Sequence, residues 1–409
     1  MNDAPVTTTR DLRTGRPVWL DSPGIGVACR GRIARSAYDV VIVGAGISGA
    51  MLAYRLRRQG GKVLVVDRRR PLHGSTAAST ALLQFEIDTP LFALSRTIGR
   101  EAARRAWRRS VAAVGDLHRL VRRERIRCGW RDARTLYLAG DAYGRIALRA
   151  EAEARAAAGI SGSYLDHADL SERFGIDRTG AILSAGSAQA DPMQLAAGLL
   201  RRAVAKGVRI CAPVEIAAIA ASGDGVALAT ADGTAIAARA AVFCTGYEIL
   251  KAIPDQGHAI RSTWALASAR GATAPDWLAD HLVWEGADPY LYLRRSADGR
   301  IIAGGEDEPW SEAHADTRLL REKTRRIARK VRALIPGLRF RVAHRWAGAF
   351  GESRTGLPFI DRVPGHPHCY AVMGFGGNGI TYSMIASDIV AALLAGEDDP
   401  DADLYRFRV

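Results

Sequence analysis

The chain has 409 residues, 48% of them hydrophobic and 24% charged, which suits two or more structural units with an ample core. Its net charge of +14 is carried by arginine, with lysine only at Lys62, Lys206, Lys251, Lys323 and Lys330. The arginines lie in helical stretches with periodic apolar residues, without a basic tail or an aromatic-interleaved motif, so no nucleic-acid partner is expected.

Residues 1–36 read as an extended arm, with the turn-rich pieces RTGRP and DSPG and the apolar pair Trp19 and Leu20. They show no continuous apolar core of a signal peptide. No apolar run anywhere nears the ~18–20 residues of a membrane span, so no transmembrane segment is expected. Five cysteines (Cys29, Cys128, Cys211, Cys244 and Cys369) lack metal spacing. An odd count without an export signal points to reduced thiols, a cytoplasmic location and no metal site.

The most informative stretch is 39–67. An apolar strand, Val40–Val43, meets Gly44-Ala-Gly46-Ile47-Ser48-Gly49; a helix follows, then a second strand, Val63–Val66, ending in Asp67. Gly44 suits the tight turn, Gly46 a close approach to a pyrophosphate, and Gly49 the packing of helix on sheet. Asp67, ~20 residues on, stands where a carboxylate accepts from a ribose hydroxyl. These parts in this order predict a dinucleotide site.

Further along, Leu91–Arg125 predicts one or two long helices, Ala142–Ala158 another, and Ala190–Ala205 a helix opened by Asp191-Pro192. Short strands are expected at Val208–Cys211, Val214–Ala220, Val226–Ala229 and Ala235–Ala238. They lead to a strand ending in Cys244-Thr245-Gly246. More strands fall in 258–305, one helix in Glu312–Leu334, and a strand, a glycine turn (Gly374–Gly379) and a helix near the C-terminus. This order suggests a nucleotide domain interrupted by a second domain.

Six motifs together resemble the FAD-dependent D-amino-acid oxidase superfamily, in its glycine and sarcosine oxidase-like branch, over about residues 38–407. They are the Gly44 motif with Asp67, Gly74-Ser75-Thr76-Ala-Ala-Ser79-Thr80, Ala190-Asp191-Pro192, Phe243-Cys244-Thr245-Gly246-Tyr247, Asp298–Gly305, and Trp346–Asp361 with Gly374–Thr381. The resemblance implies an α/β fold: a discontinuous Rossmann-like FAD-binding domain (37–88, 163–250 and 345–409) and a substrate domain (89–162 and 251–344). The second domain is expected to have a mainly antiparallel sheet with helices. It implies FAD contacts at Gly44, Gly46, Ile47, Ser48, Gly49, Asp67, Arg68, Ser75, Thr76, Ser79, Thr80, Val214, Thr245 and Gly246. The last glycine turn would add Gly376, Gly377, Asn378, Gly379, Ile380 and Thr381. The Ser75, Thr76, Ser79 and Thr80 hydroxyls also fit ordinary turn and cap duty. Asp67 is shorter than the glutamate common in FAD proteins and by itself leaves NAD open; the C-terminal glycine motif favours FAD.

The implied activity is oxidation of the C–N bond of an amino acid or secondary amine to an imine, by hydride transfer to flavin N5. Some relatives tether FAD through a cysteine, and Ala349 stands at that position, so non-covalent FAD is expected. Relatives that clamp a substrate carboxylate do so near positions that here hold Leu82 and Thr381. Where relatives place an oxygen-activating lysine, about His258–Arg270, this chain has none. Sarcosine is therefore not the expected substrate. A dehydrogenase using a quinone or protein acceptor instead of oxygen is an alternative, as is an FAD-binding subunit without amine oxidase activity. Substrate-site candidates are Arg354 as carboxylate ligand, Tyr292 on a strand that carries a substrate tyrosine in relatives, and His258 as a neutral-pH group, with Glu352 able to attract an ammonium. An oligomer is possible.

Overall fold

A computed structural model describes residues 6–57, 61–310 and 312–407. Strand Ala37–Val43 runs into the Gly44 turn, helix Ile47–Leu56 follows, and strand Val63–Val66 returns parallel to the first. Val63–Val66 is buried throughout, as a strand covered on both faces requires, which is why its sequence is an unbroken apolar run.

A sheet grows around this pair in the spatial order Phe359–Val363, His366–Met373, Ala235–Phe243, Ala37–Val43, Val63–Val66, Arg209–Cys211. Neighbours from His366–Met373 onward are parallel, and Phe359–Val363 closes one edge antiparallel. The hairpin Ile216–Ser222 and Gly225–Thr230 hangs from Ala235–Phe243. Two separately expected strands are thus one continuous strand, Ala235–Phe243.

Helices Ile47–Leu56, Pro192–Val204 and Gly379–Ala395 share one core with the sheet through Leu52, Leu199, Ile385, Ile42, Val65 and Val242. Asp191 caps the second of these, accepting from Met193 N and Gln194 N at 2.9 Å, with Pro192 in the first turn. By length and composition, Gly376–Ala395 could cross a membrane, which the sequence reading did not anticipate. Ile380, Ile385, Ile389 and Val390 are buried within the fold. A helix covered by protein on most sides is apolar all round without needing lipid.

The second sheet has ten strands. Its order is Arg13–Gly15, Val342–Ser353, His258–Ser268, Ile301–Glu308, Leu291–Arg295, His281–Gly286, Arg131–Ala139, Gly180–Gln189, Leu82–Leu83, with Ser163–Asp166 beside Gly180–Gln189. It is antiparallel except where His281–Gly286 runs parallel to Arg131–Ala139. Helix Thr317–Leu334 covers it with Leu320, Ile327 and Val331. That helix starts at its Asp316 cap, after a separate 3₁₀ turn at Ala313–Ala315, rather than at Glu312. Leu91–Arg125 breaks at Gly99, whose φ of +89° ends one helix and opens the next.

Sheet membership departs from the expected domain segments. Gly180–Gln189 and most of Val342–Ser353 (345–353), expected in the nucleotide domain, pair within the ten-stranded sheet. Their alternating and glycine-rich patterns carry no sign of which sheet they join.

The N-terminal arm, described from Val6 onward, docks on the body of its own chain. Thr7 bridges Leu250, Arg13–Gly15 pairs with Trp346–Gly348, and Arg30 bridges Cys211. Trp19 is buried and donates its indole N–H to Ser79 O at 2.6 Å.

Candidate functional site

A long cavity runs from the Gly44 turn, between the two sheets, to a chamber walled by aromatic side chains. At the turn end the glycines have separate tasks. Gly44 takes φ +112°, and a Cβ on it would stand 2.3 Å from Cys244 O. A Cβ on Gly49 would stand 1.9 Å from Gly44 O, so this residue lies under the turn and lets the helix close on it. A Cβ on Gly46 would meet only Thr76 Oγ1 at 3.1 Å, leaving an open cradle beside the helix start.

Asp67 lines the cavity, and its two carboxylate oxygens accept from Ala45 N at 2.7 Å and Arg69 N at 2.8 Å. Burial raises its pKa, and these two backbone bonds oppose the rise. Arg68 lines the same end and pairs with Glu215 at 3.4 Å and Glu248 at 3.7 Å. Val214, Thr245 and Gly246 complete this wall.

The hydroxyl segment divides by role. Thr76 Oγ1 accepts from Ile47 N at 2.9 Å, and Ser79 Oγ accepts from Ala81 N at 3.1 Å, so both do turn and cap work. Ser48 bonds Ser383 at 2.8 Å. Ser75 Oγ lines the cavity, buried and without a hydrogen-bond partner. Thr80 lines it too, and its carbonyl accepts from the buried guanidinium of Arg294 at 2.8 Å. Arg294 also donates to Gln189 Oε1 and Ala190 O, so one side chain fixes the hydroxyl segment to the ten-stranded sheet. Gly376, Gly377, Asn378, Gly379 and Ile380 close the other side, and Asn378 Nδ2 donates to Glu86 O. An open cradle at Gly46 with a buried, unpaired hydroxyl at Ser75 fits a phosphate-bearing cofactor such as FAD.

The arm forms part of this end. Val6, Thr7 and Leu12 line the cavity, and Arg68 donates to Thr7 and to Thr9 Oγ1 at 3.2 Å. Deleting residues 1–12 is expected to raise the dissociation constant for FAD, measured by flavin release on dilution. Equal retention by the shortened chain contradicts a role for the strap.

At the far end, Tyr137, Tyr143, Tyr247, Trp284, Tyr290 and Tyr292 surround the chamber. Tyr137 and Trp284 stack at 3.8 Å. Glycines make room for these rings: a Cβ on Gly304 would stand 2.2 Å from Tyr292 Oη, and one on Gly351 would stand 3.2 Å from the Tyr247 ring. Burial holds the Tyr292 phenol well above its usual pKa, so it stays protonated. Asp88, Glu352, Phe350 and Thr263 also line this end.

Four sequence candidates fall elsewhere. Arg354 is exposed on the turn after Ser353, outside the cavity lining. Gly348, Ala349, Phe350 and Glu352 of this strand line the cavity, but the strand ends at Ser353 and Arg354 lies exposed on the turn. His258 sits at the start of its strand opposite Ser353, also outside the lining, and burial lowers its pKa. Thr381 Oγ1 donates to Gln84 O at 2.8 Å and ties the last helix to that segment. Gly49 lies beneath the turn as described. Sequence reasoning missed Asp88 and most of the aromatic wall, because these residues come from separate strands and loops that only the fold brings together. No group of three or more His, Cys, Asp or Glu side chains suited to a metal ion occurs among the described residues.

Residues 39–393 match the family described as FAD dependent oxidoreductase, DAO. The chain is 22% identical to a probable oxidoreductase OrdL of Haemophilus influenzae, over 88% of this chain and 84% of that one. The fold is similar to glycine oxidase from Geobacillus kaustophilus, with a TM-score of 0.77 and 20% identity over 91% of this chain and 99% of that one. It is also similar to L-proline dehydrogenase from P. horikoshii, with a TM-score of 0.76 and 17% identity over 91% and 97%.

Proposed function

The chain belongs to the FAD-dependent oxidoreductase family, and from that premise we propose that it oxidises the C–N bond of an amino acid or secondary amine to an imine, which water then hydrolyses. FAD, when bound, would supply the two-electron oxidant for loss of a hydride from the carbon next to nitrogen. The observation that carries the reading is one continuous cavity with a phosphate cradle at Gly46 and an aromatic chamber at the other end. In this reading Gly46, Ser75 and the start of the helix at Gly379 hold the phosphates and the flavin edge. Thr263, Ala265 and Gly348 offer small side chains where a flat ring needs room, and Tyr137 and Trp284 keep water from the chamber.

FAD is held without a covalent bond in this account. Ala349 lines the cavity, and the cysteine that does so, Cys244, has its thiol pushed up to about 12 by burial, which suppresses the thiolate a tether needs.

One observation favours a dehydrogenase over an oxidase. No lysine or histidine lines the cavity among the described residues, and its two arginines, Arg68 and Arg69, lie at the Asp67 end. Reducing oxygen builds negative charge that a nearby cation stabilises, and the chamber end offers none. The expected outcome is steady turnover of an amine with a dye acceptor, with aldehyde or keto product matching the dye reduced, and much slower turnover with oxygen. Equal rates with both contradict the dehydrogenase; no product with either contradicts C–N oxidation.

A further inference from the structure

The charges at the chamber end point to a substrate class. Of the four carboxylates that line it, three are already matched. A fifth, Asp307, stands behind Tyr290 and Thr263, outside the lining, with its pKa pushed up to about 7 by burial, so Asp88→Asn is what separates its titration from that of Asp88. Glu86 is held by Arg155, Thr135 and Ser187; Glu285 pairs with Arg178 at 2.8 Å; Glu352 pairs with Arg261 at 2.6 Å. Asp88 has no cationic side-chain partner among the described residues. Its Oδ2 accepts from Gly377 N at 2.8 Å. The Asp88 side chain is exposed along the cavity wall, with many protein atoms standing around it. Burial therefore pushes its pKa up to about 6, with the charge of Glu352 adding to the rise. The Tyr247 and Tyr290 phenols lie within reach of the Asp88 charge.

We propose that the chamber takes an amine that carries no carboxylate, its ammonium held by Asp88 and its carbon substituent seated among Tyr247, Tyr290 and Tyr292. This rests on the reading of the cavity as a C–N oxidation site. A substrate carboxylate would sit in a water-poor chamber facing Asp88 and Glu352, with no arginine or lysine lining that end to receive it. An ammonium gains twice there. It gives a counter-charge to a carboxylate that otherwise has none among the described residues, and it meets the negative faces of aromatic rings.

The sign of the pH dependence follows from the raised pKa of Asp88. Below about 6 the carboxyl is protonated and cannot hold a cation; above it the ion pair forms. Amine binding therefore strengthens as pH rises through about 6 and fades only where the amine loses its own proton.

The test uses holoenzyme and a matched pair, N-methylphenethylamine and N-methylphenylalanine, which differ only by a carboxylate. Binding is read as a shift of the flavin bands, and oxidation as their anaerobic bleaching. The amine is expected to bind with the stated pH profile and then to bleach the flavin after its ammonium proton has passed to the Asp88 carboxylate, since only the neutral nitrogen lets a hydride leave the neighbouring carbon. The amino acid is expected neither to bind nor to bleach at the same concentration. Asp88→Asn keeps an acceptor for Gly377 N–H and is expected to weaken amine binding about tenfold or more, with FAD content and thermal midpoint as folding controls. The pH profile of the unaltered enzyme needs no variant. Bleaching by the amino acid at concentrations equal to or below those of the amine overturns the proposal, as does amine binding indifferent to pH and to Asp88→Asn. So does a failure of both compounds to shift the bands. An amine that shifts the bands with this pH profile but never bleaches them keeps the ammonium site and overturns C–N oxidation instead.

Discussion

Gly46→Val is expected to give a folded protein that has lost its flavin. A Cβ there has one close neighbour, the Thr76 hydroxyl at 3.1 Å, which has to shift by a few tenths of an ångström and strains its bond from Ile47 N, a local cost that the fold is expected to survive. The added side chain projects into the cradle where the phosphates are proposed to lie, and FAD affinity should drop by at least about tenfold, which is ~1.4 kcal/mol. Gly49→Ala makes the contrast. Its Cβ would stand 1.9 Å from Gly44 O, so the turn itself has to move and the fold is damaged along with the site. Absorbance at the flavin bands together with the thermal midpoint separates the two. A Gly46→Val protein that keeps full flavin content refutes the cradle.

Arg155→Met is expected to cost about 3–5 kcal/mol of stability. Arg155, Glu86 and Glu151 are all fully buried. The guanidinium binds Glu151 at 2.8 Å and Ser184 Oγ at 3.0 Å, reaches Glu86 at 3.5 Å, and lies over the Trp107 ring at 4.7 Å. Methionine fills much of the volume but leaves two carboxylates without their counter-charge. The damage extends to the site, because Glu86 lines the cavity and its carbonyl accepts from Asn378 in the last glycine turn. Adding Glu151→Gln to Arg155→Met should recover part of the loss. A denaturation midpoint unchanged by Arg155→Met contradicts this account of the cluster.

The nucleotide end was legible in the sequence because its parts are local. The Gly44 turn, its helix and Asp67 lie within one strand–helix–strand unit, and the Gly74–Thr80 segment follows directly. Gly44 and Gly49 answer to backbone requirements that no other residue meets as cheaply, and Gly46 leaves open space beside the helix start. The chamber was largely illegible because no local rule gathers it. Tyr137, Trp284 and Tyr292 sit on three strands whose neighbourhood depends on the order of a ten-stranded sheet. Asp88 stood in plain view at the end of the run following Thr80, but nothing local shows that Gly377 comes to meet it. Arg354 misled for a definable reason. Its candidacy rests on its place just before a segment that borders the flavin in relatives, but the strand stops at Ser353, leaving Arg354 exposed on the turn. The arm left a choice between docking on this chain and on another. Thr7, Leu12, Arg13–Gly15 and Trp19 dock on their own body, three of the contacts through backbone pairing or an indole bond that sequence patterns do not encode.

Anaerobic titration of the purified, flavin-loaded protein with a panel of secondary amines and D- and L-amino acids tests the central claim most directly. The account predicts that the flavin bands bleach with one equivalent of an amine, in a protein whose flavin is released intact on denaturation. Flavin bands that no amine or amino acid bleaches, in a protein fully loaded with FAD, would contradict it.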